Sequence, residues 1–350
     1  MKIAVDCRHI FSSGIGVYLE GCLQYFAASG NEFVLIGKKD ALAPYLTGST
    51  ELLECSIKPF DKKELICFPR SILKTINSCD FYFSPYFNIP QGIKIPAALT
   101  IHDIIFLDMK NLVSRAGLAA RAFFYKRAAK KSTVIFTVSN FSKLRIAAHL
   151  KTKNIIVTYT GIRRAVLEYK EKRKKTASIV YVGNVKKHKG LSVLISAFNS
   201  LLQEGFMYRL YIAGSKENFR SKDSEILKQT ENNGAVVWTG SIPDEALCGI
   251  IAEASLLVQP SLYEGFGLPP LEALYLGTNA LISDIPVFRE IYGDFPVTFF
   301  KTGDAEDLKR KMRALLPLAG SSTELGEELK SRYTFKKTAD IILGSLKQLK

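Results

Sequence analysis

Short, nearly unbroken apolar runs alternate along the chain with stretches whose apolar positions recur every three or four residues. Lys2–Asp6 (KIAVD) and residues 32–36 (EFVLI), 80–83 (DFYF), 97–101 (AALTI), 134–138 (VIFTV) and 155–159 (IIVTY) read as strands. Runs apolar on both faces suit parallel strands covered on both sides. Helical patterns lie between them, at 16–28, 63–77, 114–131 and 141–149. This alternation predicts a parallel sheet joined by right-handed crossovers.

Residues 163–177 (RRAVLEYKEKRKKTA) are charged and poor in core residues, and they read as an interdomain linker. The alternation then restarts, with strands at 179–182, 209–213, 236–238, 256–259 and 280–283 and helices at 191–202, 244–254, 271–276 and 305–316. A chain of 350 residues is long for one core. The expected fold class is α/β, with two Rossmann-like doubly wound domains, 1–165 and 166–334, facing each other across a cleft. The helical segment 335–350 is a candidate to pack back across the linker.

Composition narrows the partners. There are 48 basic and 33 acidic residues, a formal net charge of +15, which points to an anionic partner: phosphorylated small molecule, anionic lipid or nucleic acid. The sequence has no RNP-type aromatic motif, zinc-finger spacing or basic-region heptads, so nucleic acid is set aside. Six scattered cysteines without a C-x-x-C suit a reduced chain. Early charges at Lys2, Asp6 and Arg8 interrupt any signal-peptide core, and the apolar run 246–263 is broken by Glu253. The expectation is a cytoplasmic protein.

The most informative motif runs from Pro260 to Ala273 (PSLYEGFGLPPLEA). A strand end, a glycine-containing turn and two prolines at a helix start predict backbone N–H groups around Gly265, Phe266, Gly267 and Leu268 aimed at a phosphate. Glu264 and Glu272 flank this loop; carboxylates there suit sugar or ribose hydroxyls, or else a surface turn and a helix-dipole partner. The stretch from Tyr181 to Leu191 (YVGNVKKHKGL) places Gly183, Asn184 and Lys189 between a strand and a helix, where lysine would neutralise a diphosphate or simply solvate a loop. The turn containing Gly240 and Ser241 ends another strand, where backbone is placed to read a nucleobase. In the first half, Ser12, Ser13, Gly14 and Gly16 form a weak phosphate-loop signal that lacks the third glycine. His102 and Asp103 end a strand, offering a sugar-hydroxyl partner with partial positive charge or a structural turn capped by Asp103.

Taken in order and context, these motifs resemble family 4 glycosyltransferases, retaining enzymes of GT-B fold. The similarity is to bacterial mannosyl- and rhamnosyltransferases of surface polysaccharide assembly, including O-antigen, lipopolysaccharide and capsule. It rests on Gly14 and Gly16, His102-Asp103, the segment 137–143 (TVSNFSK), Tyr181 through Gly190, Ala213-Gly214, Thr239-Gly240 and Glu264 through Glu272. The resemblance implies that Lys189 binds the donor diphosphate, that Glu272 binds ribose, and that Glu264 with Gly265–Leu268 holds the sugar and its phosphate. It further implies that His102 touches the transferred sugar and that the Gly14–Gly16 loop closes near the diphosphate. His102, Glu264 and Lys189 are thus the expected catalytic residues.

Many relatives carry arginine where this chain has Asn184, which leaves Lys187 and Arg8 as candidates for a second positive charge. No D-x-D carboxylate pair is present to hold a metal ion, so the donor phosphates are expected to be met by lysine and backbone N–H groups. No cofactor is expected; the donor is a GDP-, dTDP- or UDP-linked sugar and the acceptor a saccharide or lipid-linked saccharide. Residues 112–132 mix apolar and basic positions and suggest peripheral contact with anionic membrane on its cytoplasmic face. The rival readings are a nucleotide-sugar 2-epimerase of the same fold and a non-catalytic scaffold subunit.

Overall fold

The computed structural model describes residues 1–10, 13–171, 173–214, 230, 233–318 and 324–350. Two compact units emerge: Met1–Gly161 with Tyr333–Lys350, and Ile162–Arg332.

The first unit is built on seven parallel strands, β1 (Lys2–Asp6), β2 (Glu32–Gly37), β3 (Thr50–Glu54), β4 (Phe81–Ser84), β5 (Ala97–Thr100), β6 (Val134–Thr137) and β7 (Ile155–Val157), in the order β3-β2-β1-β4-β5-β6-β7. The second has six, β8 (Thr176–Val182), β9 (Arg209–Ala213), β10 (Val236–Trp238), β11 (Ala254–Gln259), β12 (Asn279–Ser283) and β13 (Val297–Phe300), in the order β10-β9-β8-β11-β12-β13. Each is a doubly wound sheet with its order reversal beside the first strand, β1/β4 in one and β8/β11 in the other. Central strands β4, β5, β6 and β11 are buried along their whole length, which is why they read as unbroken apolar runs.

Two strands escape the sequence reading, β3 and β13. Both are edge strands with one neighbour and mostly half-buried positions; β3 (TELLE) is accordingly charged, whereas β13 (VTFF) is apolar but only four residues long. The 63–77 pattern is in fact two helices, Lys62–Ile66 and Arg70–Ile76, separated at Pro69. The charged stretch read as a linker contains a helix, Arg164–Glu168, and the opening of β8, and the units divide between Gly161 and Ile162.

The last helix, Phe335–Gln348, belongs to the first unit and packs on helix Ser13–Ala27. Its Phe335 ring fills the space that a side chain at Gly21 would need, and its backbone closes on Gly161. A larger residue at either glycine would push the helix off.

Candidate functional site

In the second unit, β11 ends at Gln259 and the chain turns through Pro260–Gly267 into helix Leu268–Tyr275. Gly267 has φ +86°, and a Cβ there would strike the Phe288 ring. Tyr292 also donates a hydrogen bond to the Gly267 carbonyl, so helix Pro286–Tyr292 braces the loop from below. Among the described residues no side chain caps helix Leu268–Tyr275. Pro269 and Pro270 carry no N–H, so the backbone donors that this end of the helix can offer precede them in the chain, Leu268 being the first helical residue.

The loop after β8 meets this turn directly. Gly190, at φ +67°, lies so close to the Pro260 carbonyl that any side chain would collide, and Leu262 N donates to the His188 carbonyl at 2.7 Å. Lys189 is thereby aimed at Glu264: its Nζ lies 2.7 Å from each carboxylate oxygen. Ser261 Oγ donates to Glu264 Oε1 at 2.7 Å. Burial alone would raise the Glu264 pKa, but the Lys189 charge and the hydrogen bonds from Lys189 and Ser261 outweigh it and hold the carboxyl below its usual range. Glu264 is not a surface turn residue; it is a buried anion.

Glu272, also buried, is engaged by Arg163, whose Nε and Nη2 donate to its two oxygens at 2.6 and 2.8 Å. Arg163 Nη1 reaches Asp244 Oδ1 at 2.7 Å. The sequence reading had placed Arg163 in the linker and missed this pair. Nothing local signals it, since the partners lie 109 residues apart.

The remaining predicted positions fall on the same carboxyl edge. Gly183 follows β8 and donates its N–H to the Ala213 carbonyl at 2.9 Å, with Asn184 next to it and half-buried. Gly240, at φ +67°, and exposed Ser241 follow β10. Gly183, Asn184, Lys189, Gly240, Ser241, Glu264, Gly265, Phe266, Gly267, Leu268 and Glu272 thus all belong to one unit, grouped on both sides of the β8/β11 reversal.

The first unit holds Gly14, Gly16 and His102. Gly14 opens helix Ser13–Ala27 with empty space where a side chain would project, whereas Gly16 is pressed against the Ile10 carbonyl. Ser12, part of the predicted loop, lies outside the described residues. His102 Nε2 is 2.9 Å from the Pro85 carbonyl, and its ring meets Tyr18 edge-on at 4.9 Å. Burial pulls its pKa down to about 4, so the predicted partial positive charge is corrected to a neutral imidazole. Nε2–H donates to Pro85, leaving Nδ1 as an acceptor. Asp103 does cap locally, accepting from Ile105 N at 3.0 Å.

The second positive charge is not Arg8. Its side chain is only 3% exposed and is spent on Asp6 (Nη2 to Oδ2, 2.6 Å) and Glu64 (Nη2 to Oε1, 2.7 Å). His188 does not supply it either, since burial and then the Lys189 charge bring its pKa to about 4. Lys187 is exposed. Among the described residues, no group of three or more His, Cys, Asp or Glu is placed to hold a metal ion.

Comparison with known proteins decides the family of the second unit: residues 163–332 match the glycosyl transferases group 1 family. This unit is a glycosyl transferases group 1 domain. The matched segment begins at Arg163 and so includes the arginine paired with Glu272. The chain is similar to the serotype-specific mannosyltransferase WbdA of Escherichia coli, 30% identical over 171 residues, covering 48% of this chain and 21% of that protein. It therefore spans about a fifth of the length of that relative. It is also similar to the O-antigen chain mannosyltransferase B of Escherichia coli, 27% identical over 230 residues, covering 61% of this chain and 59% of the relative. Among solved structures, sucrose-phosphate synthase from Thermosynechococcus elongatus superposes with a TM-score of 0.74 at 16% identity, covering 100% of this chain and 99% of the other. Anabaena HepE in complex with UDP and glucose gives 0.73 at 14% identity, covering 99% and 100%. The glycosyltransferase GT-B fold accordingly covers the whole chain.

Proposed function

We propose that the protein is a retaining, metal-independent glycosyltransferase. It moves a hexose or deoxyhexose, mannose or rhamnose foremost, from a nucleotide diphosphate to a saccharide or lipid-linked saccharide acceptor in surface polysaccharide assembly. The observation that carries this reading is the Lys189–Glu264 pair at the β8/β11 reversal, where doubly wound sheets bind ligands. Lys189 spends two of its three donors on Glu264 and keeps one for the leaving diphosphate, joined by the N–H groups of Gly267 and Leu268. The relatives' mannosyltransferase names favour mannose, and the HepE complex with UDP and glucose favours a nucleotide-sugar donor. GDP, dTDP and UDP carriers all fit this reading.

In the proposed reaction the acceptor oxygen–C1 bond forms on the face from which the C1–phosphate oxygen bond breaks. The acceptor proton passes to the departing phosphate oxygen, and in this reading the Glu264 anion offsets the positive charge that builds at C1. His102, neutral, accepts a hydrogen bond from a sugar hydroxyl through Nδ1.

The site of action is the cytoplasmic face of the membrane. Helix Arg115–Lys131 carries an exposed stripe of Ala116, Ala119, Ala120 and Phe123 that continues into Lys126 and Lys130, and Phe123 is 60% exposed. Among the described residues no helix is long and apolar enough to cross a membrane; the attachment we propose is peripheral, through this helix.

Incubation with GDP-mannose, dTDP-rhamnose and UDP-hexoses, with saccharide acceptors and excess EDTA, tests the reaction. Transfer with retained anomeric configuration is expected. An epimerised nucleotide sugar without transfer would establish the epimerase instead, and complete loss of activity restored by Mg²⁺ would overturn the metal-free account.

A further inference from the structure

Beyond the glycine loop, the carboxyl ends of β12 and β13 open onto a basin of about 520 Å³ that no part of the proposed donor site uses. Four cations line it, Arg289, Lys301, Arg310 and Lys311, against two carboxylates, Asp284 and Asp307. Both carboxylates are engaged, each with one arginine, and Asp307 also with a backbone N–H. Asp284 takes Nε and Nη2 of Arg289 at 2.7 Å each, while Asp307 takes Lys301 N at 2.8 Å and the Arg310 guanidinium.

Arg289 is further fixed by lying 3.9 Å over the Phe299 ring, and its Nη1 makes no hydrogen bond among the described residues. Lys311 forms no hydrogen bond or ion pair there either. The basin therefore presents one guanidinium, Arg289, that is oriented before any ligand arrives, and beside it Lys311; both keep unspent donors among the described residues. That combination suits a phosphate or carboxylate, since guanidinium and ammonium groups recognise anionic oxygens by charge-assisted hydrogen bonds. The volume lies within the range of small-molecule pockets and exceeds what a lone anion needs. Helix Pro286–Tyr292 ties the two regions together, supporting the glycine loop with Phe288 and Tyr292 and the basin with Arg289.

We infer that this basin is a second anion-binding site, taking a saccharide that bears a phosphate or carboxylate group. It is separate from the donor diphosphate site and is measurable without any transfer reaction.

Calorimetric titrations with glucose 6-phosphate, glucuronate, inorganic phosphate and glucose test it at low salt. Saturable binding of glucose 6-phosphate or glucuronate is expected, with inorganic phosphate at least 10-fold weaker and glucose silent. Lys311→Gln combined with Arg289→Gln should weaken the sugar-anion affinity 10-fold or more with an unchanged circular dichroism melt, and Lys189→Ala should leave it unchanged. Overturning results are an affinity unaffected by the double substitution, its loss in Lys189→Ala, equal binding of inorganic phosphate, or no binding at all. A parallel titration with nucleoside diphosphates reports on the donor site alone, so failure of either reading is seen independently.

Discussion

Lys189 Nζ stands 2.7 Å from both oxygens of Glu264, a carboxylate 75 residues further along the chain. On the carboxylate side Ser261 and Gln259 also donate to Glu264, and the Lys189 side chain keeps partial access to solvent. The ligand-free site thus holds its positive charge in place by a buried anion, and a bound diphosphate would share the same ammonium.

Replacing Lys189 with alanine should weaken nucleotide diphosphate and nucleotide-sugar binding together, because the lost contact is to their common group. A hydrogen bond to a charged partner is worth about 1.5–3 kcal/mol, or roughly 10- to 150-fold in affinity. Calorimetry with GDP, UDP and dTDP measures this; an unchanged affinity would remove Lys189 from the site.

Arg8→Met should destabilise the first unit without touching the second. It leaves Asp6 and Glu64, both with fully buried side chains, without their shared cation. Breaking a buried ion pair from one side costs about 3–5 kcal/mol. Chemical denaturation read by a probe in each unit should show an earlier transition in the first; coincident, unshifted transitions would contradict the assignment.

Acid should loosen the fold through buried histidines, His102 and His188 foremost and His9 with the same sign. His102 and His188 have folded-state pKa values near 4, below the ordinary 6.5, so the unfolded chain binds more protons between those values. Stability is full above pH 6.5 and falls as the pH drops towards 4, by up to about 3 kcal/mol per histidine. Glu264, with its lowered pKa, adds a loss that begins as the pH falls through the ordinary carboxylate range and continues below it. Melting curves from pH 7 to 4 should fall, and His188→Gln should flatten part of that slope; an identical slope in the variant would refute the contribution of His188.

Membrane attachment should depend on Phe123, Lys126 and Lys130 and not on the whole basic helix. Arg127 donates to the Ile89 carbonyl at 2.6 Å and Lys131 to Gln91 Oε1 at 2.7 Å, while Phe124 packs against Phe60. Pelleting with anionic vesicles should fall with salt, at about 1 kcal/mol for each basic residue near the surface. It should fall further in a Phe123→Ser, Lys126→Gln, Lys130→Gln variant. Equal recovery in the supernatant with neutral and anionic vesicles would refute attachment.

Much of this protein is legible before folding. The alternation of unbroken apolar runs with helical periodicity dictates two doubly wound sheets, because a strand covered on both faces tolerates only apolar residues. The glycine–proline grammar after β11 marks a tight turn into a helix for a similarly local reason: φ +86° at Gly267 and the absence of a side chain are backbone requirements. The tertiary structure alone decides what each charge does. Arg163 looked like a linker residue and proves to clamp Glu272; Arg8 looked available and is buried between two carboxylates; His102 looked partly cationic and is neutral. Charge state and pairing depend on burial and on partners 56 to 109 residues away, and no local pattern encodes a distance across the fold.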